Sequence, residues 1–435
     1  MATAAAAASA SAASPPPHLF LKSTSLFSIK AQADVKKGDI VLAGTGIAGV
    51  ATAVSVERFG IRSKVIEEVE SLRYGGTSHI QGCKYVIARN IQPVRSSSIS
   101  APATPVTEEE EGILSLDVSE IKEMCRSWLW RGHKINYLIY PVGDDKTLPR
   151  PPPLLLVHGF GASVAHWRRN ISVLSRSYTV YAIDLLGFGA SDKPTGFAYS
   201  MEAWSQLILD FLNEVIRRPT VLIGNSVGSL ACLIAATESS PRSLIRGLVL
   251  LNCAGGMNNK AIVDDWRIKL LLPLLWFFDF LLSQRWIASF LFNKVKQRDN
   301  IRNVLTSVYG NKESVDDDLV EIIRGPANDE GALDAFVSIV TGPPGPNPVQ
   351  LIPNISLPIL VLWGDQDPFT PLDGPVGKYF SSLPGKVPSI SLFVLDGVGH
   401  CPHDDRPDLV HERLLPWLAQ LPDLQDDTNN LPKAN

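Results

Sequence analysis

The sequence predicts an α/β fold, a mostly parallel central sheet flanked by helices, with a helical cap inserted late in the chain. Two observations carry that expectation. From Leu154 onward, short and wholly apolar runs alternate with longer segments of helical pattern, as strands buried on both faces of a parallel sheet require. Between Cys253 and Pro358, about a hundred residues then interrupt the alternation, far more than a crossover helix needs.

In chain order, residues 1–33 are rich in Ala and Ser, carry Lys22 and Lys30, and contain no acidic residue before Asp34. That is the composition of a chloroplast or mitochondrial transit peptide. Asp39–Ala43 is expected as a strand, Val50–Phe59 as a helix and Ser63–Glu67 as a second strand, a Rossmann-like βαβ fragment over residues 34–91. Its turn places Gly44, Gly46 and Gly49 at dinucleotide-fingerprint spacing, and Glu67 follows about twenty residues on, where a ribose-binding acid belongs. Through "GIRSKVIEEVESLRYGGTS" this stretch resembles the N-terminal unit of FAD-dependent monooxygenases of the aromatic-hydroxylase type. The rest of such a domain is missing, and one βαβ unit can neither bury its own faces nor enclose a flavin. The fragment is therefore read as a passenger, and no cofactor is expected. Residues 92–112, with Ser, Pro and Thr leading into four glutamates, form a linker.

The main domain spans residues 113–425, ahead of a disordered tail at 426–435. It opens with "WLWRGHKINYLIYP" (Trp128–Pro141), whose alternation suits an antiparallel edge hairpin. The apolar runs "LLLVHG", "TVYAIDLLG", "TVLIGNS", "GLVLLNC", "PILVLWG" and "SISLFVL" supply the parallel strands. Met201–Ile216 and Leu409–Leu418 are expected helices. The cap, about residues 255–350, is crowded in its first half with Leu270, Leu274, Trp276, Phe277, Phe278, Phe280, Trp286, Phe290 and Phe292.

Composition narrows the function. A formal net charge of −4 with intermixed acids and bases gives no nucleic-acid surface. Cys83, Cys125, Cys232, Cys253 and Cys401 show no zinc-type spacing, so no metal is expected and a reducing compartment fits. Leu270–Leu282 is too short to span a membrane and is interrupted by Pro273 and Asp279.

The chemistry sits in three motifs. Gly224-Asn225-Ser226-Val227-Gly228 is a G-x-S-x-G between an apolar strand and a helical run, the context in which a sharp turn exposes a nucleophilic serine. A serine hydroxyl needs a base, and the base an orienting acid. His400, after the last strand, is the candidate base, with His403 its nearest rival. Asp365 and Asp367, in "LWGDQDPFTP", compete for the acid, and Asp367 is favoured because the chain must turn before a carboxylate reaches His400. Asp365 is expected to cap the turn. "VHGFGAS" offers an oxyanion loop, and the amides of Phe160 and Val227 are the candidate donors. His158 is read as structural, and His133, His166 and His411 as surface or packing residues. A serine in the elbow argues against epoxide hydrolase or haloalkane dehalogenase chemistry, in which that position is an aspartate.

From about Trp128 to Leu421 these motifs, with "AIDLLGFGASDKP" and "GVGHCPHDDRP", resemble the α/β-hydrolases. More narrowly, the G-N-S-x-G elbow, "RGLVLLN" and "GHCPHDDRPDLV" are similar to the plant chloroplast hydrolases that include chlorophyll dephytylase and pheophytinase. Ser229 departs from them, standing where many relatives have a second glycine. The resemblance implies a serine hydrolase in the chloroplast acting on a hydrophobic small-molecule substrate, the phytyl ester of a chlorophyll-type pigment. The large apolar residues of the cap are expected to line a tunnel for a phytyl or acyl chain, to rest on a thylakoid surface, or to pack the cap onto the core domain. G-N-S-x-G occurs in carbon–carbon bond hydrolases too, and a generic lipid esterase or a non-catalytic hydrolase-fold receptor remain alternatives.

Overall fold

A computed structural model describes residues 30–34, 39–43, 115–142, 151–238, 244–258 and 277–421. The chain divides into two compact units, Met1–Val65 and Ile66–Asn435. In the first, β1 (Lys30–Asp34) pairs antiparallel with β2 (Asp39–Ala43). The strand at Asp39–Ala43 is where the sequence places it, but its partner is the preceding segment. Gly44, Gly46, Gly49 and the expected strand at Ser63–Glu67 lie outside the described residues, as does the linker at 92–112.

The second unit holds an eight-stranded sheet. Its strands are β3 (Cys125–Trp130), β4 (His133–Tyr140), β5 (Leu154–Val157), β6 (Val180–Ile183), β7 (Thr220–Asn225), β8 (Ile245–Leu251), β9 (Ile359–Gly364) and β10 (Ile390–Leu395). The spatial order is β10-β9-β8-β7-β5-β6-β4-β3. Strands β5 to β10 pair in parallel, and β3 and β4 run antiparallel at one edge. The edge hairpin turns at Arg131 and Gly132, whose φ values of 49° and 84° suit the two-residue turn that matches strand twist.

Continuous apolarity in the inner strands follows from burial on both faces. Leu155, Val157, Leu222, Leu248, Leu250, Val361 and Trp363 face a core shared with the helices Met201–Phe211 and Val227–Glu238. Their neighbours Leu154, Leu156, Val221, Ile223, Val249, Leu251 and Leu360 face a second core with Trp167, Ile171 and the helix Pro407–Ala419. The helix at Met201 starts where Ser200 caps the Ala203 amide, and it buries Met201, Trp204, Leu207, Ile208 and Phe211. Beyond Phe211 it widens into a π-turn over Leu212–Ile216 and ends at Arg217 with φ 57°.

The insertion between β8 and β9 contains helix residues 277–283 and the helices Arg285–Val295, Arg298–Val308, Asp317–Arg324 and Ala332–Thr341. Asp316 anchors it to the core. Its carboxylate caps Leu319 N at 2.8 Å and takes both bonds from Arg168 Nη2, at 2.9 and 2.8 Å. Among the described residues no helix is long and apolar enough to cross a membrane.

Candidate active site

Strand β7 delivers Ser226 to the C-terminal edge of the sheet, and the helix Val227–Glu238 begins at the next residue. Ser226 sits at φ 57°, a left-handed conformation that costs a non-glycine residue about 1–2 kcal/mol. The turn is tight enough to fix its neighbours. A Cβ on Gly228 would lie 2.4 Å from the His158 carbonyl oxygen, and one on Gly224 would lie 2.5 Å from Ser229 N. Ser226 N bonds Leu251 O at 2.9 Å, and Ala254 N bonds Ser226 O at 3.2 Å. Ser229 closes the same corner. Its hydroxyl donates to Gly224 O at 2.6 Å and accepts from Leu251 N at 3.1 Å, tying the helix to β7 and β8.

The loop after β10 brings His400 onto the serine. His400 Nε2 lies 2.8 Å from Ser226 Oγ, and His400 Nδ1 lies 2.7 Å from Asp367 Oδ2. Because a carboxylate only accepts, the proton belongs on Nδ1, which leaves Nε2 free to accept from the serine hydroxyl. Asp367 is 3% exposed. It also accepts from Thr370 Oγ1 at 2.5 Å, Asn252 Nδ2 at 2.7 Å, Phe369 N at 2.7 Å and Thr370 N at 3.1 Å. Burial pushes its carboxyl up, but the His400 imidazole and these donors outweigh burial and hold it below the ordinary carboxylate value. Asp365 faces elsewhere, accepting from Gly397 N at 2.8 Å. It ties the turn after β10, not the turn of its own loop that it was expected to cap.

The loop after β5 passes close to the serine, since a Cβ on Gly159 would lie 3.3 Å from Ser226 Cβ. Phe160 follows Gly159 there and Val227 opens the helix, so both candidate oxyanion amides belong to segments that converge on Ser226. His158 holds that loop. It donates from Nδ1 to Gly159 O at 2.7 Å and accepts the Leu185 amide at Nε2, 3.0 Å away. Burial lowers its pKa and keeps the imidazole neutral. Phe160 stacks edge-on against Phe336 of the insertion, with centroids 6.1 Å apart, and Phe336 meets Phe292 at 5.1 Å. The insertion thus reaches the lip of the site.

Sequence reasoning missed the polar cluster behind His400. His166 is buried, bonding Tyr309 Oη from Nε2 at 2.7 Å and meeting His403 Nε2 from Nδ1 at 3.3 Å. Tyr309 donates to Asp404 Oδ2 at 3.1 Å. Asp405, 1% exposed, accepts from Gly399 N, Gly310 N and Asn311 N at 2.6, 2.7 and 2.8 Å. Asn252 was missed as well, its carboxamide linking Asp367 to Gly364 N at 3.0 Å. Its position at the end of "GLVLLNC" was the available signal, a polar residue closing an otherwise apolar strand.

Residues 152–407 match the family described as having the alpha/beta hydrolase fold. An uncharacterised hydrolase of Bacillus subtilis, YugF, is 25% identical over 272 residues, covering 62% of this chain and 91% of its own. Chloroplastic pheophytinase of Arabidopsis thaliana is 27% identical over 313 residues, covering 62% of each chain. Among solved structures, the epoxide hydrolase CorEH superposes with a TM-score of 0.55 at 17% identity, over 68% of this chain and 99% of that one. The matched region contains all six strands from β5 to β10 and the segments carrying Ser226, Asp367 and His400. The chain therefore belongs to the alpha/beta hydrolase fold family.

Proposed function

We propose that this protein is a serine hydrolase of the chloroplast that cleaves a carboxylic ester of a hydrophobic substrate, the phytyl ester of chlorophyll or a related pigment. The observation that carries the reaction is the continuous hydrogen-bonded path from Ser226 Oγ through His400 to Asp367. Ser226 attacks the ester carbonyl while its proton passes to His400 Nε2, and Asp367 stabilises the resulting imidazolium. The Phe160 and Val227 amides hold the oxyanion. Collapse of the tetrahedral adduct breaks the bond to the alcohol, which leaves with the proton from His400. Water, deprotonated by the same histidine, then hydrolyses the acyl-serine and restores the hydroxyl. No metal or redox group enters these steps.

The apolar substrate is supported by the Phe160, Phe336 and Phe292 contacts beside the site and by the partial likeness to pheophytinase. The outer side of the insertion supports contact with a thylakoid surface. Phe277, Phe280, Trp286 and Phe290, on two successive helices, are 54%, 61%, 62% and 49% exposed, and large exposed apolar side chains suit a lipid surface. Expected results are release of phytol from chlorophyll or pheophytin, its loss in Ser226→Ala, and co-flotation with vesicles of thylakoid lipids. A panel including triacylglycerols and vinylogous diketones tests the substrate. Turnover confined to the latter two would replace the pigment ester with a lipid or carbon–carbon substrate, and binding without turnover would make the protein a receptor.

A further inference from the structure

The reacting histidine is held by two carboxylates, Asp367 on its ring and Asp405 on the backbone that carries it. His400 N donates to Val308 O at 3.0 Å, so the base hangs from the last residue of the insertion helix Arg298–Val308. The contact is close-packed as well as hydrogen-bonded. A Cβ on Gly310 would lie 2.0 Å from Gly397 O, and one on Gly399 would lie 2.0 Å from Val308 O. Two backbone segments, 308–311 and 397–400, therefore touch without intervening side chains. Asp405 bridges them. Oδ2 accepts from both Gly399 N at 2.6 Å and Gly310 N at 2.7 Å, and Oδ1 accepts from Asn311 N at 2.8 Å. Ser314 Oγ, also in the insertion, donates to Asp405 O at 2.8 Å.

A fully buried carboxylate is costly unless its lone pairs are filled. Among the described residues no salt bridge pairs with Asp405, and backbone amides from two separate segments do that work. Three amides converging on two oxygens define a single geometry, which an amide side chain cannot reproduce because its nitrogen faces a donor. The Asp367 to His400 bond fixes the ring, whereas Asp405 fixes the backbone on which the ring is mounted.

We infer that Asp405 is a positioning residue for His400, and that through it the insertion sets where the base stands relative to Ser226. The inference rests on His400 being the base. Asp405 touches no reacting atom, so its effect falls on the rate of proton transfer and leaves ground-state binding alone. A displacement of about 1 Å in a reacting group can cost about a hundredfold in rate.

The test uses the full-length protein, a p-nitrophenyl butyrate assay and thermal melts. Asp405→Asn perturbs the joint from the His400 side and Gly310→Ala from the insertion side. Both are expected to lower kcat by tenfold to a hundredfold with KM unchanged within twofold. Val315→Ala, in the apolar cluster beside the joint, serves as a control that loosens packing and leaves kcat within twofold. In a His400→Ala background, Asp405→Asn should cause no further loss of the residual rate. If His400→Ala keeps full activity, the assignment of the base fails. If His400→Ala is inactive while Asp405→Asn and Gly310→Ala behave like Val315→Ala, the positioning role fails. Should Asp405→Asn not fold, Gly310→Ala decides; if neither folds, the joint is structural and the proposal is overturned.

Discussion

At the scale of the residue, the contest between Asp365 and Asp367 shows how two acids two positions apart acquire different work. Asp365 holds one exposed turn through Gly397. Asp367 lies under the loop, with every lone pair filled and one oxygen on His400. Asp367→Asn is expected to lower kcat about ten-thousandfold, because an amide presents the wrong partner to Nδ1 and favours the wrong tautomer. Asp365→Asn should leave kcat within threefold, and steady-state kinetics on a p-nitrophenyl ester separates the two. The order Ser226, Asp367, His400 was legible because each stands in a short motif next to an apolar strand. Asp404, Asp405 and Tyr309 were not. Apart from Gly399, their side-chain partners lie 94 or more positions away, and no local pattern distinguishes an acid that will be buried from one that will be solvated.

At the scale of the element, continuous apolar runs fixed the inner strands and alternation fixed the edge hairpin, since a residue's face is set by its own neighbours in sequence. Boundaries were less legible. Strand β8 starts at Ile245, two residues before "GLVLLNC", because Ile245 pairs with Thr220 across an irregular register. The expected helix Met201–Ile216 changes form at Leu212, where the wider turn has no sequence mark. The elbow makes the sharper prediction. A methyl on Gly228 meets backbone oxygens of Val157 and His158, which cannot rotate away. Gly228→Ala is expected to destabilise the fold by about 3 kcal/mol, the upper end of overpacking costs, as read from urea midpoints. In the insertion, Asp316→Ala removes a helix cap worth about 1 kcal/mol and leaves the buried Arg168 guanidinium with Asp404 at 3.4 Å and the exposed Asp318 at 3.7 Å. A loss of about 2 kcal/mol is expected by the same measurement, since a deprived buried cation adds to the lost cap.

At the scale of the whole molecule, the buried histidines tie stability to pH. Burial first, then the cation of Arg168, brings the His166 pKa down to about 3. Burial and then His166 hold His403 well below the usual imidazole value. The unfolded chain protonates both near pH 6.5, and the folded chain does not until far lower. The stability these two histidines contribute is thus complete above about pH 6.5 and falls as pH drops toward 3, by up to about 1.4 kcal/mol per pH unit for each histidine. Denaturation curves between pH 7 and 4 should show this slope, and His166→Gln should make it shallower. A chain beginning at Ile113 retains β3 to β10 and every residue of the proposed site. Its kcat is expected within twofold of the full protein, and a larger loss would give the N-terminal unit a part in the chemistry. The left-handed backbone at Ser226 carries a consequence for any population of variants. Glycine alone relieves that conformation, so Ser226→Gly should melt higher than the active protein by the equivalent of about 1 kcal/mol while turning over nothing. A screen for survival of heating would therefore enrich dead molecules. On the proposed mechanism, thermal hardiness and competence are opposed at Ser226.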